Sequence, residues 1–197
     1  MLKEEKMKKV LISVKNCKKC NLYKTRNKPV IGEGSLDAKI LFIGEAPGKN
    51  EDLKGKPFVG KAGKILDELL KSIGFQRNQI YIANILKDRP PNNRNPLKSE
   101  IKACTEFLDK QINIIQPEVI VPLGNFATLY IFEKYGLKYD KISKIHSKTF
   151  SIKTNFGSIK IIPFYHPAVA TYNINKKKIL LKDFKLIKKI IYKKENL

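Results

Sequence analysis

The sequence predicts a three-layer α/β/α domain built on a central, mainly parallel sheet of four strands, and three observations lead there. Short, nearly continuous apolar runs recur along the chain; each is followed by a glycine or a polar loop; and each loop leads into a segment whose apolar residues recur at helical spacing. Strands that are apolar on both faces must be covered on both, and parallel pairing requires crossovers that place helices outside the sheet.

The elements follow in order. Lys3 to Lys9 carries apolar residues among its lysines and reads as the polar face of a helix. Lys39-Ile40-Leu41-Phe42-Ile43 is the first strand and ends at Gly44; Ala62 to Ile73 is then an amphipathic helix with Ile65, Leu66, Leu69, Leu70 and Ile73 on one face. Ile80 to Leu86 is a second strand, followed by a loop from Asp88 to Asn95. Asn95-Pro96 looks like an N-cap and first-turn pair opening a helix lined by Ile101, Cys104, Leu108, Ile112 and Ile115. Val119 to Leu123 leads through Gly124 into a helix from Phe126 to Tyr135. Asn155-Phe156-Gly157 reads as a hairpin turn feeding the last strand, Ile159 to Phe164. A basic terminal helix is expected over Lys176 to Lys194, with Leu180, Phe184, Ile187 and Ile191 on its apolar face. No repeat or low-complexity linker divides the chain, so residues 1–197 are expected to form one domain.

With 197 residues, 42% of them hydrophobic and 9% aromatic, the chain can build a core, which excludes global disorder. No apolar run approaches the roughly 20 residues that span a bilayer, and the charged opening lacks a signal peptide's apolar region. A soluble, cytoplasmic monomer without a membrane partner is expected. Forty Lys and Arg against 18 Asp and Glu give a formal charge of +22, which points to a polyanion such as nucleic acid. Only Arg26, Arg77, Arg89 and Arg94 are arginines, so a lysine-biased solvated surface is the competing explanation.

In open α/β sheets ligands bind beyond the carboxyl ends of the strands. Gly44-Glu45-Ala46-Pro47-Gly48, Asn84, Gly124-Asn125 and Tyr165-His166-Pro167 occupy those positions, so a carboxylate, an amide and an imidazole converge on one rim. Each has a bland reading: a solvated turn for Glu45, a loop tie for Asn84, a hydrogen-bonded structural group for His166. Asn84 can read a base edge with paired hydrogen bonds, and Phe58, following the polar Lys49 to Lys56 loop, can stack on a base or merely cover the core edge. Cys17-Lys18-Lys19-Cys20 with Cys104 makes no paired disulfide framework and suggests metal or redox chemistry; three thiolates need a fourth ligand to close a structural site.

Six collinear segments together carry a family resemblance: CKKCNLYKTR (Cys17 to Arg26), GEGSLDAKILFIGEAPGKNED (Gly32 to Asp52), GKPFVGKAGKILDELL (Gly55 to Leu70), YIANILKDRPPNNRNP (Tyr81 to Pro96), LGNFA (Leu123 to Ala127) and YHPA (Tyr165 to Ala168). The chain resembles the family 4 uracil-DNA glycosylases, the iron–sulfur type. The resemblance implies a monofunctional enzyme of base excision repair that flips uracil out of DNA, hydrolyses its N-glycosidic bond and leaves an abasic site. It implies uracil contacts from Gly44, Ala46, Glu51, Phe58, Asn84 and His166: Phe58 stacking on the base, Asn84 pairing with its polar edge, Glu51 near C5 where it helps exclude the methyl of thymine. Catalysis falls to His166, beside the uracil O2, and to Glu45, which orients water or stabilises the cationic sugar. From its position after His166, and not from the resemblance, the segment Val169 to Asn175 is the candidate for filling the gap in the duplex, with Tyr172 its one bulky side chain.

The resemblance also implies an iron–sulfur cluster on Cys17, Cys20 and Cys104, but where the family carries a cysteine this chain has Asp88, within Lys87-Asp88-Arg89-Pro90-Pro91. Three outcomes follow: a 4Fe–4S cluster with Asp88 as fourth ligand, a three-iron cluster, or none. The retained cysteines favour a cluster, with a structural role. A noncatalytic basic iron–sulfur module that binds DNA or senses redox state is the alternative reading. A nucleotide-binding protein using GEGS or GEAPG as a phosphate loop fits poorly, because neither string has the required glycine spacing.

Overall fold

A computed structural model of the chain describes residues 1–192. In chain order the elements are α1 (Lys3–Lys15), β1 (Glu33–Gly34), β2 (Ile40–Gly44), α2 (Lys49–Lys54), α3 (Lys61–Ser72), β3 (Tyr81–Asn84), α4 (Lys98–Ile115), β4 (Val119–Pro122), α5 (Gly124–Lys134), α6 (Ile142–Ile145), β5 (Phe150–Thr154), β6 (Gly157–Ile161) and α7 (Ile174–Tyr192). Short 3-10 turns cover Asn21–Lys24, Arg77–Gln79, Pro91–Asn93 and Pro167–Thr171. Lys193 and Lys194, the end of the expected basic helix, lie outside the described residues.

The sheet has six strands in the order β1-β3-β2-β4-β6-β5. Its middle, β3-β2-β4-β6, is parallel as expected, and β2, β3 and β4 are buried along their whole length. The four-stranded expectation is corrected at both edges, where β1 pairs antiparallel with β3 and β5 antiparallel with β6. β1 is two residues long, too short for any periodicity. β5 is the first arm of the anticipated hairpin, whose turn is Asn155-Phe156; its alternating burial is that of an edge strand.

Helices cover both faces. On one, the Tyr81 hydroxyl donates to Met7 Sδ of α1 at 3.8 Å and accepts from Gln111 Nε2 of α4 at 3.1 Å, while Tyr130 of α5 donates to Asp109 of α4 at 2.5 Å. On the other, the Phe42 ring stacks on Phe184 of α7 with centroids 5.6 Å apart, and Lys177 of α7 meets Glu68 of α3 at 2.5 Å. Residues 41 and 42 point to opposite faces, as strand geometry requires, and both are fully buried. Each such side chain taken out of water contributes about 1.5–3 kcal/mol.

Helix α4 begins at Lys98, two residues later than the Asn95-Pro96 pair suggested. The Glu100 carboxylate sets the start: it accepts the Leu97 N–H at 2.8 Å and binds Arg94, satisfying a donor the helix cannot. Among the described residues no helix is long and apolar enough to cross a membrane.

Candidate active site

Parallel register brings the strand ends to one edge. Gly44 pairs with Asn84, the Ile85 N–H donates to the Gly44 carbonyl at 3.0 Å, and Leu123 bridges to Phe164, two residues before His166. The resulting cleft of about 280 Å³ gathers Ala46, Glu51, Phe58, Asn84 and His166 from the anticipated set, and adds Gly48, Ala62, Asn93 and Ala168. Gly44 lies beneath: a Cβ there would stand 2.3 Å from Asn84 Oδ1 and 2.8 Å from the Phe58 ring, so any side chain at this position would collide with both site residues. Glu45 is half-buried next to this rim but does not line the cleft; its side chain makes no hydrogen bond among the described residues, and burial raises its pKa.

Phe58 is buried with φ at +51°, a left-handed conformation uncommon for an aromatic residue. Its loop is held from three sides. Glu51 Oε1 accepts the N–H groups of Val59 and Gly60 at 2.8 and 2.7 Å. Arg77 donates to the carbonyls of Pro57 (3.1 Å) and Phe58. Gly63 permits the third contact, because a Cβ there would stand 1.8 Å from the Phe58 carbonyl oxygen. Glu51 thus gains a task its sequence position did not reveal: it fixes the aromatic wall at the start of α3.

His166 lies deep among protein atoms while part of its ring opens to the cleft. Its ring faces Phe58 at 5.5 Å between centroids and 28° between planes. Burial pushes its pKa down to about 4, against a smaller upward pull from Glu51, so the imidazole is neutral at pH 7. Nδ1 accepts the Ala168 N–H at 3.2 Å, which assigns the proton to Nε2 and leaves that nitrogen a donor. The folded pKa is below the ordinary 6.5, so the unfolded chain takes a proton that the folded one refuses. The stability contribution is therefore complete above pH 6.5, declines as pH falls towards 4, and amounts to about 3 kcal/mol at most. Denaturant unfolding at pH 7 and pH 4.5 is expected to show this loss in the native protein and a smaller one in His166→Asn.

Asn84 is buried at the end of β3, and beneath it lies a polar network that sequence reasoning missed. Lys87, 1% exposed, donates to the Asn84 carbonyl at 2.8 Å, to Gln111 Oε1 at 2.7 Å and to the Ile31 carbonyl at 3.3 Å. All three ammonium donors are matched, which is what makes a buried lysine tolerable; burial still pushes its pKa down to about 7. The backbone of Asn84 is thereby anchored. Its side-chain amide makes no hydrogen bond among the described residues and is left for a ligand. Asn93 was missed too. It and Asn92 both have φ of +54° in the Pro91–Asn93 turn, and the Pro-Pro-Asn-Asn string was its available signal. Tyr172, 78% exposed, closes the turn that follows His166.

The anticipated cluster ligands lie behind the cleft, where Cys104 packs with Leu22 and Leu86, and Cys20 and the cleft residue Ala46 pack against them. The neighbouring Cys104 thiol lowers the Cys20 pKa to about 6, and Cys20 together with burial raises that of Cys104. Cys17 packs against the main core instead. Asp88 is bound by Arg26, with Nη1 at 3.0 and 3.3 Å from its two oxygens. Among the described residues no group of three or more His, Cys, Asp or Glu side chains is placed to hold a metal ion. Cys17, Cys20 and Cys104 supply three thiolates, and the carboxylate at the fourth position, Asp88, is already taken by Arg26, so this donor set does not fit a four-ligand cluster as it stands.

Residues 31–191 match the family model described as the Uracil DNA glycosylase superfamily. The chain is 49% identical over 187 residues to the Type-4 uracil-DNA glycosylase of Sulfurisphaera tokodaii, covering 94% of this chain and 84% of that protein. It is 42% identical over 191 residues to the enzyme of the same name from Archaeoglobus fulgidus (97% and 96% covered), and 45% over 182 residues to that from Saccharolobus solfataricus (92% and 84%). With most of each sequence aligned and an α/β sheet whose carboxyl edge carries the cleft, the chain belongs to the type-4 uracil-DNA glycosylases of the uracil-DNA glycosylase superfamily.

Proposed function

We propose that this cleft excises uracil from DNA by hydrolysing the N-glycosidic bond, leaving an abasic site, with residues 1–197 acting as one glycosylase domain. The observation that carries the reading is the meeting of Phe58, Asn84 and a neutral His166 with a free Nε2 donor in one cleft. A base inside a duplex is out of reach of any such group, so it must be extruded, and stacking and edge hydrogen bonds replace the pairing it loses. Phe58 supplies the apolar surface and the Asn84 amide the edge contacts. Glu51, on the cleft wall, limits the room for a 5-methyl group.

As the bond from C1′ to N1 breaks, its electron pair leaves with the base and negative charge spreads to O2. The Nε2–H of His166 is already oriented to donate there, so the charge meets a fixed dipole without reorganisation. Water completes the substitution at C1′. Glu45 is the carboxylate assigned to orient it or to stabilise the cationic sugar, a role its half-buried position beside the rim supports. A lysine nucleophile has no part in this sequence. The charge of +22 attracts the phosphate backbone, and Tyr172 is the side chain assigned to the gap in the duplex. An iron–sulfur group takes part in no step.

The test is alkali treatment of a labelled uracil-containing duplex after incubation with the protein, with a thymine duplex as control. Breaks confined to uracil and dependent on alkali are expected. Tight binding by folded protein with no breaks would transfer the reading to a noncatalytic DNA-binding module.

A further inference from the structure

Arg26 follows the 3-10 turn Asn21–Lys24 and joins three parts of the chain. Its Nη1 lies 3.0 and 3.3 Å from the two Asp88 oxygens and 3.4 Å from the Val14 carbonyl, and its Nη2 donates to the Lys15 carbonyl at 2.5 Å. The two carbonyls belong to the last turn of α1, where a cation meets the negative end of the helix dipole. The ion pair is well covered, with 13% of the Arg26 side chain and 6% of the Asp88 side chain exposed. The next residue repeats the pattern: the Asn27 backbone N–H donates to buried Asp52 at 2.9 Å, and its side-chain amide binds the same carboxylate. Val30 then donates to the Lys87 carbonyl at 2.7 Å. The segment before β1 is thus joined to the loop after β3 by charge and hydrogen bonds.

We propose that in this chain the Arg26–Asp88 ion pair, and not an iron–sulfur cluster, is the clasp between the segment before β1 and the loop after β3. The inference does not depend on the assigned catalytic roles. Asp88 occupies the position where the resemblance calls for a thiolate. Its carboxylate already has a partner in a site largely closed to water, and turning it towards iron would leave a covered guanidinium without its counter-ion, an arrangement more costly than the matched pair. Cys104 is buried with Leu22 and Leu86, and Cys20 and Ile101 pack against them, an environment in which cysteine packs as a small apolar side chain. Anchoring that a cluster would provide is present without one.

Full-length protein would be incubated anaerobically with ferrous iron and sulfide, desalted, and assayed for iron, sulfide and visible thiolate-to-iron absorption. The native chain is expected to retain no stoichiometric iron, and D88C, treated in parallel, to take it up and colour. R26M and D88N, each leaving one group of the pair unmatched, are expected to lower Tm by roughly 5–15 °C. The double variant R26M/D88M, with neither charge present, is expected to recover part of that loss, and reports on the pair even where a single variant fails to fold. Three results would overturn the proposal: native protein that holds three or four irons with the absorption band, single variants that melt with the native chain, or D88C that stays colourless.

Discussion

Asn84→Ala is expected to reduce the single-turnover rate of uracil release by about 10⁴- to 10⁵-fold, the discrimination a hydrogen-bonding site shows between a matched and an unmatched ligand edge. Affinity for uracil-containing DNA is expected to change little, because backbone phosphates and the lysine-rich surface carry most of it. The asymmetry follows from the position of the residue. Its main chain is locked by Lys87 and by the pairing with Gly44, so removing the amide leaves the rim in place and deletes only the contacts to the base. Quenched-flow release kinetics paired with binding titrations check the result. A variant that loses DNA affinity while excising bound uracil at the native rate would contradict the role given to Asn84.

His166→Ala is expected to cost about 10²- to 10³-fold in kcat, the usual loss when one oriented donor to a developing anion is removed. KM should move little, since the donor matters most once the bond is breaking. The change also removes the imidazole face against Phe58, so the melting temperature must be measured alongside, and His166→Asn, which keeps a hydrogen-bond donor, should recover part of the lost rate. Equal loss in both variants with unchanged stability would mean that the imidazole acts by some route other than donation.

What could be read in the sequence divides by the range of the interactions. β2, β3, β4 and α3 were legible because burial on both strand faces and one helix face writes itself into neighbouring residues. The rim followed from topology, and the motif resemblance identified Ala46, Glu51, Phe58, Asn84 and His166, which do meet in one cleft. Glu45, read as a catalytic carboxylate on the rim, stands beside the cleft and does not line it. The supports were illegible. Arg77 reaches Phe58 across 19 positions, Lys87 reaches Gln111 across 24, and Tyr81 reaches Met7 across 74; no local pattern encodes such pairs. The start of α4 was misplaced for a related reason: Asn95-Pro96 satisfies the local rule, and a carboxylate at Glu100, bound by Arg94, overrides it. Asp88 was recognised as a departure that left a fourth cluster ligand, a three-iron cluster and no cluster all open; its partner Arg26 lies 62 positions away, and no local pattern reveals it.

The left-handed backbone of Phe58, held by Glu51, Arg77 and the close approach of Gly63, has a kinetic meaning. A wall fixed during folding has no loop entropy left to lose at encounter, so the free energy of base contact can oppose unstacking alone. The protein then works as a gauge, presenting every extruded base with the same unyielding template, and its selectivity is set by which bases leave the stack and fit. Loosening that loop would slow capture and blur selection together, even with every base-contacting side chain intact.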